Sequence, residues 1–453
     1  MHPTLVNRMI FPLHERLKGK TTHAKLAELE RTQWLAPAAL RELQLERLRR
    51  HLAWAYREVP YYARLLDEHG LTPARVQSFE DFARIPLLTK DVLRERLKDL
   101  QPRTPLRGVQ RLSTGGSTGA PVTVFVDRER AAFTDAARLR AHRWFGADMG
   151  VREIVLWGSP IELGRQDRLR SARDWLLNSR LLSAFDLGEP ALARYAAEVR
   201  AYRPQKLYGY ASALALLAGY LDRTGGLPRA DAPKAVFTTA EPLYDFQRAA
   251  IAAAFHCPVA TEYGCRDGGL VALECPLGGL HIAAEGMHVE VLPSAPGEAG
   301  GELVLTNLES YALPIIRYRS GDVGALEPTP CPCGRGLPRL ARVEGRRTDF
   351  LVTPSGKLMH ALAAIYVLRE VPGVREFQVV QERLDHVRVR VVPAGELSVA
   401  ARASIVERLG GLFEGRARVE VETAESVSSA SGKHRYVISH VADAHVSALV
   451  GAA

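Results

Sequence analysis

The chain is predicted to be an α/β protein with a smaller α+β unit at its C-terminal end. Apolar runs such as Ile154-Val155-Leu156-Trp157 and Ala235-Val236-Phe237-Thr238-Thr239 read as buried strands, and they alternate with helical stretches. That alternation marks a layered α/β fold, which binds ligands at the carboxyl ends of its strands. From about residue 350 the order changes to strand, strand, helix, strand, a compact α+β pattern. The length of 453 residues, with 47 % apolar and 25 % charged side chains, suits two to three soluble domains.

Residues 38–69 read as helix, with Leu45, Leu48, Leu52 and Ala55 on an apolar stripe and Glu46, Arg47, Arg49 and Arg50 between them. Val59-Pro60-Tyr61-Tyr62 interrupts it, Ser78–Phe82 opens a short helix, and Ile85-Pro86-Leu87-Leu88-Thr89-Lys90 closes the segment in a packing role. Arg128–Phe145 reads as helix, and Arg165, Arg168, Arg170 and Arg173 as a solvated basic face. Another helix starts at Ala211, and Gly301–Leu308 is a half-buried strand. In the C-terminal part, Phe377–Gln381, Val387–Val392 and Arg418–Val421 read as strands and Val399–Phe413 as helix.

The densest chemical signal is Ser113-Thr114-Gly115-Gly116-Ser117-Thr118-Gly119-Ala120-Pro121. Glycines let the backbone turn tightly and aim successive N–H groups at one anion, and the hydroxyls add donors. Such a loop suits a polyphosphate. It is not a Walker A loop, because no lysine follows Gly119. The strand-like Val122–Val126 follows directly, which argues against a flexible linker.

This loop resembles the phosphate loop of adenylate-forming enzymes, most closely the branch of phenylacetate–CoA ligases, capsule-associated relatives and coenzyme F390 synthetases. Further motifs follow in the family's order over nearly the whole chain. They are Thr261-Glu262-Tyr263-Gly264-Cys265-Arg266-Asp267, Arg317-Tyr318-Arg319-Ser320-Gly321-Asp322, Gly345-Arg346-Arg347-Thr348-Asp349 and Ser431-Gly432-Lys433. The resemblance implies a large, multi-layer adenylate-forming domain over 1–344 with an N-terminal helical region over 1–100. A hinge at 345–349 and a small mobile domain over 350–453 would complete it.

It also implies site roles. The nucleotide would be held by Ser113 to Gly119, by Ala240, Glu241 and Pro242, by Glu262, Tyr263 and Gly264, and by Asp322 and Arg346. Tyr263 would border the adenine, and Asp322 would accept both ribose hydroxyls. Asp267 stands where the family usually has glutamate; it would help place Mg²⁺, directly or through a water. Lys433 would meet the carboxylate and α-phosphate during adenylation and then swing away about the pivot at Asp349. Trp157, Gly158, Tyr208 and Tyr210 would line the acid pocket.

The implied activity is that of an ATP-dependent, AMP-forming acid–thiol ligase. A carboxylate attacks the α-phosphorus of ATP, pyrophosphate leaves, and a thiol, most simply CoA, takes the acyl group. Two alternatives remain open at this level. One keeps adenylation with another acceptor (a carrier protein, an amine or a phenol). The other is a nucleotide-binding scaffold without turnover.

Cys275, His281, Cys331 and Cys333 form a candidate metal cluster. Three thiolates and an imidazole suit a closed structural Zn²⁺ site, although the spacing is not that of a standard finger, and a reduced surface pair is the other reading of Cys331 and Cys333. Some members of the resembling branch carry such a site. The five cysteines lie between Cys257 and Cys333 rather than in a disulfide framework, which points to the cytoplasm. The net charge of +9 comes without a nucleic-acid motif and suits anionic small molecules such as ATP and CoA. Met1 to Lys20 mixes charged and apolar residues unlike a signal peptide, and no stretch approaches the roughly 20 apolar residues of a membrane span. The expected partners are a small carboxylic acid and a thiol acceptor, not nucleic acid, with a homodimer as an allowed assembly.

Overall fold

A computed structural model describes residues 1–113, 122–157, 167–184, 187–241, 243–293, 300–344, 350–425, 427 and 436–441. The described residues gather into two compact units. One takes in the chain to 151 and again from 260 to 344; the other takes in 152–259 and the part beyond 350.

In the first unit, seven strands lie side by side. Their order is Met287–Pro293, Gly300–Asn307, Ile315–Glu327, Arg339–Glu344, Leu280–Ile282, Gly269–Glu274 and Val259–Cys265. Neighbouring strands pair antiparallel. A separate hairpin pairs Gln110–Ser113 with Thr123–Val126, ending at Ser113 opposite Thr123. Residues 114–121 therefore join two strands whose ends are already in register.

The helix Pro37–Glu58 starts with proline in its first turn, where the missing N–H costs nothing, and stops at Val59, whose extended backbone precedes Pro60. Its buried face is Leu40, Gln44, Arg47, Leu48, His51, Leu52 and Ala55, spaced by three and four. This corrects part of the sequence expectation, because Arg47 is buried and Leu45 only half-buried. Arg47 donates to the carbonyl of Glu285 at 3.0 Å and pairs with Glu28, so its charge is neutralised inside. The next helix, Pro60–Glu68, supplies Tyr62 to a core with Phe82, Ile85, Leu88 and Tyr318. Ser78 and Asp81 form a capping box on Phe79–Phe82.

The second unit holds four parallel strands in the order Ser179–Ser183, Glu153–Trp157, Lys206–Tyr210 and Ala235–Thr239. The helices Glu189–Tyr202, Ala211–Arg223 and Asp245–Phe255 carry apolar residues into one core with Leu156, Leu207 and Val236. That arrangement is the α/β layering expected from the alternation. The same unit contains a four-stranded sheet in the order Arg418–Thr423, His386–Pro393, Val374–Arg383 and Val437–Ser439, with its own core around Phe377, Ile405 and Phe413. Among the described residues, no helix is long and apolar enough to cross a membrane.

One residue ties the hairpin to the helix after it. Asp127 directly succeeds the second hairpin strand and caps Arg128–Trp144 by accepting the Arg130 N–H at 3.0 Å. Its other oxygen accepts the N–H groups of Tyr311 and Ala312, both at 2.7 Å. Asp127→Ala would strand three donors, two of them buried, so an unfolding free-energy loss of about 2–4 kcal/mol is expected in urea titration. A loss within experimental error of zero would contradict this role.

Candidate functional site

The site in the first unit is built where two motifs meet. Tyr263 lies on the strand Val259–Cys265 and Asp322 on the strand Ile315–Glu327. The Tyr263 hydroxyl donates to the Asp322 carboxylate at 2.9 Å. In the opposite sense, the Tyr318 hydroxyl on the second strand donates to Asp267, just past the end of the first, at 2.5 Å. Each motif thus supplies a tyrosine to the other motif's aspartate.

Asp267 is almost fully enclosed. Burial pushes its carboxyl up, but the Tyr318 hydroxyl and the charge of Lys90 outweigh that and leave it below its usual value. Asp267 is therefore a carboxylate at neutral pH. Burial and the neighbouring Asp322 charge push Tyr263 upward, so its phenol stays protonated and remains a donor. Burial likewise pushes the Cys265 thiol well above its ordinary value.

The turn carrying Asp267 is held from several sides. The buried Arg130 donates to the carbonyls of Arg266 and Asp267 at 2.9 and 3.0 Å. The Asn307 amide donates to the Gly268 carbonyl at 2.8 Å, and the Gly268 N–H donates to the Cys265 sulfur at 3.2 Å. Glu262, one residue before Tyr263, lies on the other face of the strand. Both its oxygens are engaged by Arg138, at 3.0 Å each, in a bidentate pair.

The segment Pro86-Leu87-Leu88-Thr89-Lys90, read as packing, does more than pack. The Leu88 N–H donates to the Arg317 carbonyl, and the Arg319 N–H to the Leu88 carbonyl, both at 2.9 Å. This short parallel bridge brings Leu88 alongside Tyr318, and Thr89 caps the helix that begins at Lys90. Lys90 was missed from sequence as a contributor to the Asp267 environment. No local pattern marks it, because the two residues meet only through the sheet. Arg317 also proves structural: it has a left-handed φ of 50° and pairs with Glu290 at 2.8 Å.

In the second unit, the candidate pocket residues cluster at strand ends. Trp157 closes one strand, and Tyr208 and Tyr210 lie two apart on its neighbour. The Trp157 ring stacks on Tyr210 at 4.5 Å and on Tyr208 at 6.0 Å between centroids. Gly209 between the tyrosines is required by space, since a Cβ there would meet the Leu156 carbonyl at 2.4 Å. Ala240 follows the strand Ala235–Thr239 with a φ of 65°, a backbone region costly for alanine. The next residue, Glu241, accepts the Ser212 N–H at 3.0 Å and its hydroxyl at 2.5 Å. Thr114 to Gly119, Gly158, Pro242, Arg346, Asp349 and Lys433 lie outside the described residues, and Ser113 is described in its backbone only.

The four metal-ligand candidates do converge. The potential ligand atoms of Cys275, His281, Cys331 and Cys333 all lie within 4.8 Å of one another. Cys275 and Cys331 sulfurs are 3.8 Å apart, and the Cys333 sulfur is 3.2 Å from His281 Nε2. His281 Nδ1 faces the Leu337 carbonyl at 3.2 Å, which holds the proton on Nδ1 and leaves the Nε2 lone pair toward the sulfurs. Burial lowers His281 to about 4, so it is the neutral imidazole a metal requires. Burial raises the Cys333 thiol, but the Arg335 N–H and guanidinium more than offset this and favour the thiolate. Gly279 leaves room for the cluster, because a Cβ there would sit 2.8 Å from the Cys331 sulfur. Beside it, the Arg335 guanidinium lies over Trp34 and Trp144, 4.9 and 4.4 Å from their ring centres. The donors fit a metal ion.

No family model matches the chain. It is 27 % identical to the phenylacetate–coenzyme A ligase of Thermus thermophilus over 378 residues, 78 % of this chain and 81 % of that protein. It is 24 % identical to protein CapK of Staphylococcus aureus, over 88 % of this chain and 89 % of the relative. Among solved structures, 2-hydroxyisobutyryl-CoA ligase in complex with 2-HIB-AMP and CoA aligns with a TM-score of 0.63 at 24 % identity, over 90 % of this chain and 91 % of that one. The fold is therefore that of adenylate-forming ligases. Within that superfamily the chain is, over most of its length, a distant homologue of the phenylacetate–coenzyme A ligase and CapK branch.

The metal reading has a direct test. Purified protein is expected to carry about one divalent transition-metal ion per chain, and Cys331→Ser to lose it together with thermal stability. A metal-free wild type that melts no lower than a metal-loaded one would refute it.

Proposed function

We propose that the protein is an AMP-forming ligase that activates a carboxylic acid with ATP and passes the acyl group to a thiol, with CoA the simplest acceptor. The observation that carries this reading is the reciprocal Tyr263–Asp322 and Tyr318–Asp267 pairing. It joins two motifs that stand in the order expected of such ligases, in a chain distantly related to phenylacetate–coenzyme A ligases.

Asp322 serves the ribose. A carboxylate offers about four lone-pair sites, so the bond from Tyr263 leaves room to accept two sugar hydroxyls. The Tyr263 hydroxyl fixes the carboxylate while its ring supplies an aromatic face for the adenine. Magnesium, when bound with ATP, would neutralise phosphate charge as pyrophosphate leaves. Asp267 accepts from Tyr318 at one oxygen and from the Gly268 N–H, at 3.3 Å, at the other, which suits contact with the ion through one of its bound waters. The loop 113–119 would hold the phosphates with its N–H groups and hydroxyls, and Lys433 would place its ammonium between the acid and the α-phosphate. The stacked Trp157, Tyr208 and Tyr210 would form a flat wall for the acid. No protein nucleophile is used, and rate comes from positioning and charge neutralisation.

The large domain over 1–344, the hinge at 345–349 and the mobile small domain over 350–453 belong to the same reading. Zinc is the metal best matched to three sulfurs and one imidazole. With four protein ligands it would be structural, clamping the Cys331–Leu337 segment rather than meeting substrate.

The test is ATP–pyrophosphate exchange across a panel of carboxylic acids, followed by single-turnover kinetics on the acid that responds. Lys433→Ala is expected to slow acyl-adenylate formation at least about 10²-fold and to leave thiol capture from supplied acyl-adenylate nearly unchanged. Absence of exchange with every acid would contradict ligase activity, and equal slowing of both half-reactions would contradict the domain alternation.

A further inference from the structure

One surface of the first unit takes no part in the site. Residues 3–17 run as helix throughout, through Pro3–Leu5, a widened turn at Val6–Ile10, and Phe11–Leu17. The inner side is pinned. Val6 and Phe11 are buried, and the Phe11 ring packs against His23 at 5.3 Å. The Asn7 amide donates to Asp148 at 2.8 Å, and the buried Glu15 accepts from the Thr22 hydroxyl. Gly150 lies so close that a Cβ there would meet the Pro3 carbonyl and Val6, each at 2.7 Å. The helix cannot roll to hide its other side.

That other side is apolar. Leu5, Met9, Leu13 and Leu17 recur every fourth residue, with 41, 63, 59 and 81 % of their surface exposed. An outward stripe at this spacing on a pinned helix is a cost in water unless something covers it. Directly beside it, Arg8, Pro12 and Arg16 line a cleft of about 910 Å³ that Lys20, His23 and Arg143 help complete. Lys20 and Arg143 have acidic partners, Asp135 at 2.7 Å and Asp148 at 2.7 Å. Arg8 and Arg16 are exposed and make no ion pair among the described residues.

We propose that this face docks on an anionic lipid surface, with Leu5, Met9, Leu13 and Leu17 entering the acyl boundary and Arg8 and Arg16 meeting headgroup phosphates. A helix lying in a membrane interface needs one apolar stripe with basic residues along its edge, and the arginine stems let the charge stay at phosphate depth. The arginines also argue against a second copy as the occupant. A two-fold contact along this stripe would set Arg8 and Arg16 against their own counterparts, like charge against like. The net charge of +9 favours the same anionic partner. The proposal is independent of which acid or acceptor the enzyme uses.

Vesicle sedimentation of the full chain tests it. The protein is expected to pellet with an equal mixture of phosphatidylcholine and phosphatidylglycerol at low salt, and about tenfold less with phosphatidylcholine alone. Met9→Glu with Leu13→Glu should cut binding to the mixed vesicles about tenfold, and Arg8→Glu with Arg16→Glu should do the same, with unchanged melting curves. If the glutamate pair lowers the melting temperature, Met9→Ser with Leu13→Ser replaces it and carries the same expectation. No pelleting with anionic vesicles would overturn the proposal, as would binding indifferent to the stripe substitutions. A dimer seen by light scattering that Met9→Glu with Leu13→Glu dissociates, without vesicle binding, would assign the stripe to a second copy and overturn it too.

Discussion

Two tyrosine–aspartate hydrogen bonds, running in opposite senses between the same pair of motifs, set the geometry on which the rest of the first unit's site depends. Tyr263 holds Asp322, and Tyr318 holds Asp267. A buried carboxylate without partners would be driven to protonate. Here each one has a phenol donor, and Asp267 also feels Lys90, so it keeps its charge inside the protein. The arrangement also ties together two strands that are not neighbours in the sheet.

The surroundings reinforce that tie with charge-assisted contacts. Arg130 gathers the carbonyls of the Asp267 turn, and Arg138 grips Glu262 on the opposite face of the strand. Both arginines project from the helix Arg128–Trp144, whose cap, Asp127, directly succeeds the hairpin around 114–121. One helix therefore couples that hairpin to the motifs that carry Tyr263 and Asp267. Further along, Arg140 forms a fully buried pair with Glu285 at 2.5 Å, and Trp144 sits against His281 at 5.7 Å beside the cysteine cluster. Loss of the metal-ligand cluster would thus be felt at the end of the helix that also carries Arg130 and Arg138.

Much of this was legible in the sequence, for identifiable reasons. The strand Ala235–Thr239 announces itself because a continuous apolar, β-branched and aromatic run has few other homes, and Leu303-Val304-Leu305 marks Gly300–Asn307. The cysteine–histidine cluster was legible as residue types, although the spacing did not prove that Cys275 and His281 would meet Cys331 and Cys333. The features that stayed hidden depended on distant partners. Arg47 looked like a surface residue because its neutralising Glu28 and carbonyl acceptor come from other segments. Lys90 read only as the end of a packing segment because Asp267 reaches it only through the sheet. Glu262 pairs with Arg138, a partner from another element that no local pattern announces. The stripe from Leu5 to Leu17 read as a mixed segment, because helical spacing alone does not say which side is pinned.

If the Tyr263 hydroxyl orients Asp322 for the ribose, the two residues act on ATP as one unit. Calorimetric ATP affinity of Tyr263→Phe, Asp322→Ala and the double variant measures this directly, since phenylalanine keeps the aromatic face and removes only the hydrogen bond. Each single variant is expected to bind more weakly, and Tyr263→Phe should add little once Asp322 is gone, a coupling of about 1 kcal/mol or more. Losses that simply add, within about 0.3–0.5 kcal/mol, would show that the two residues act independently and would contradict the account.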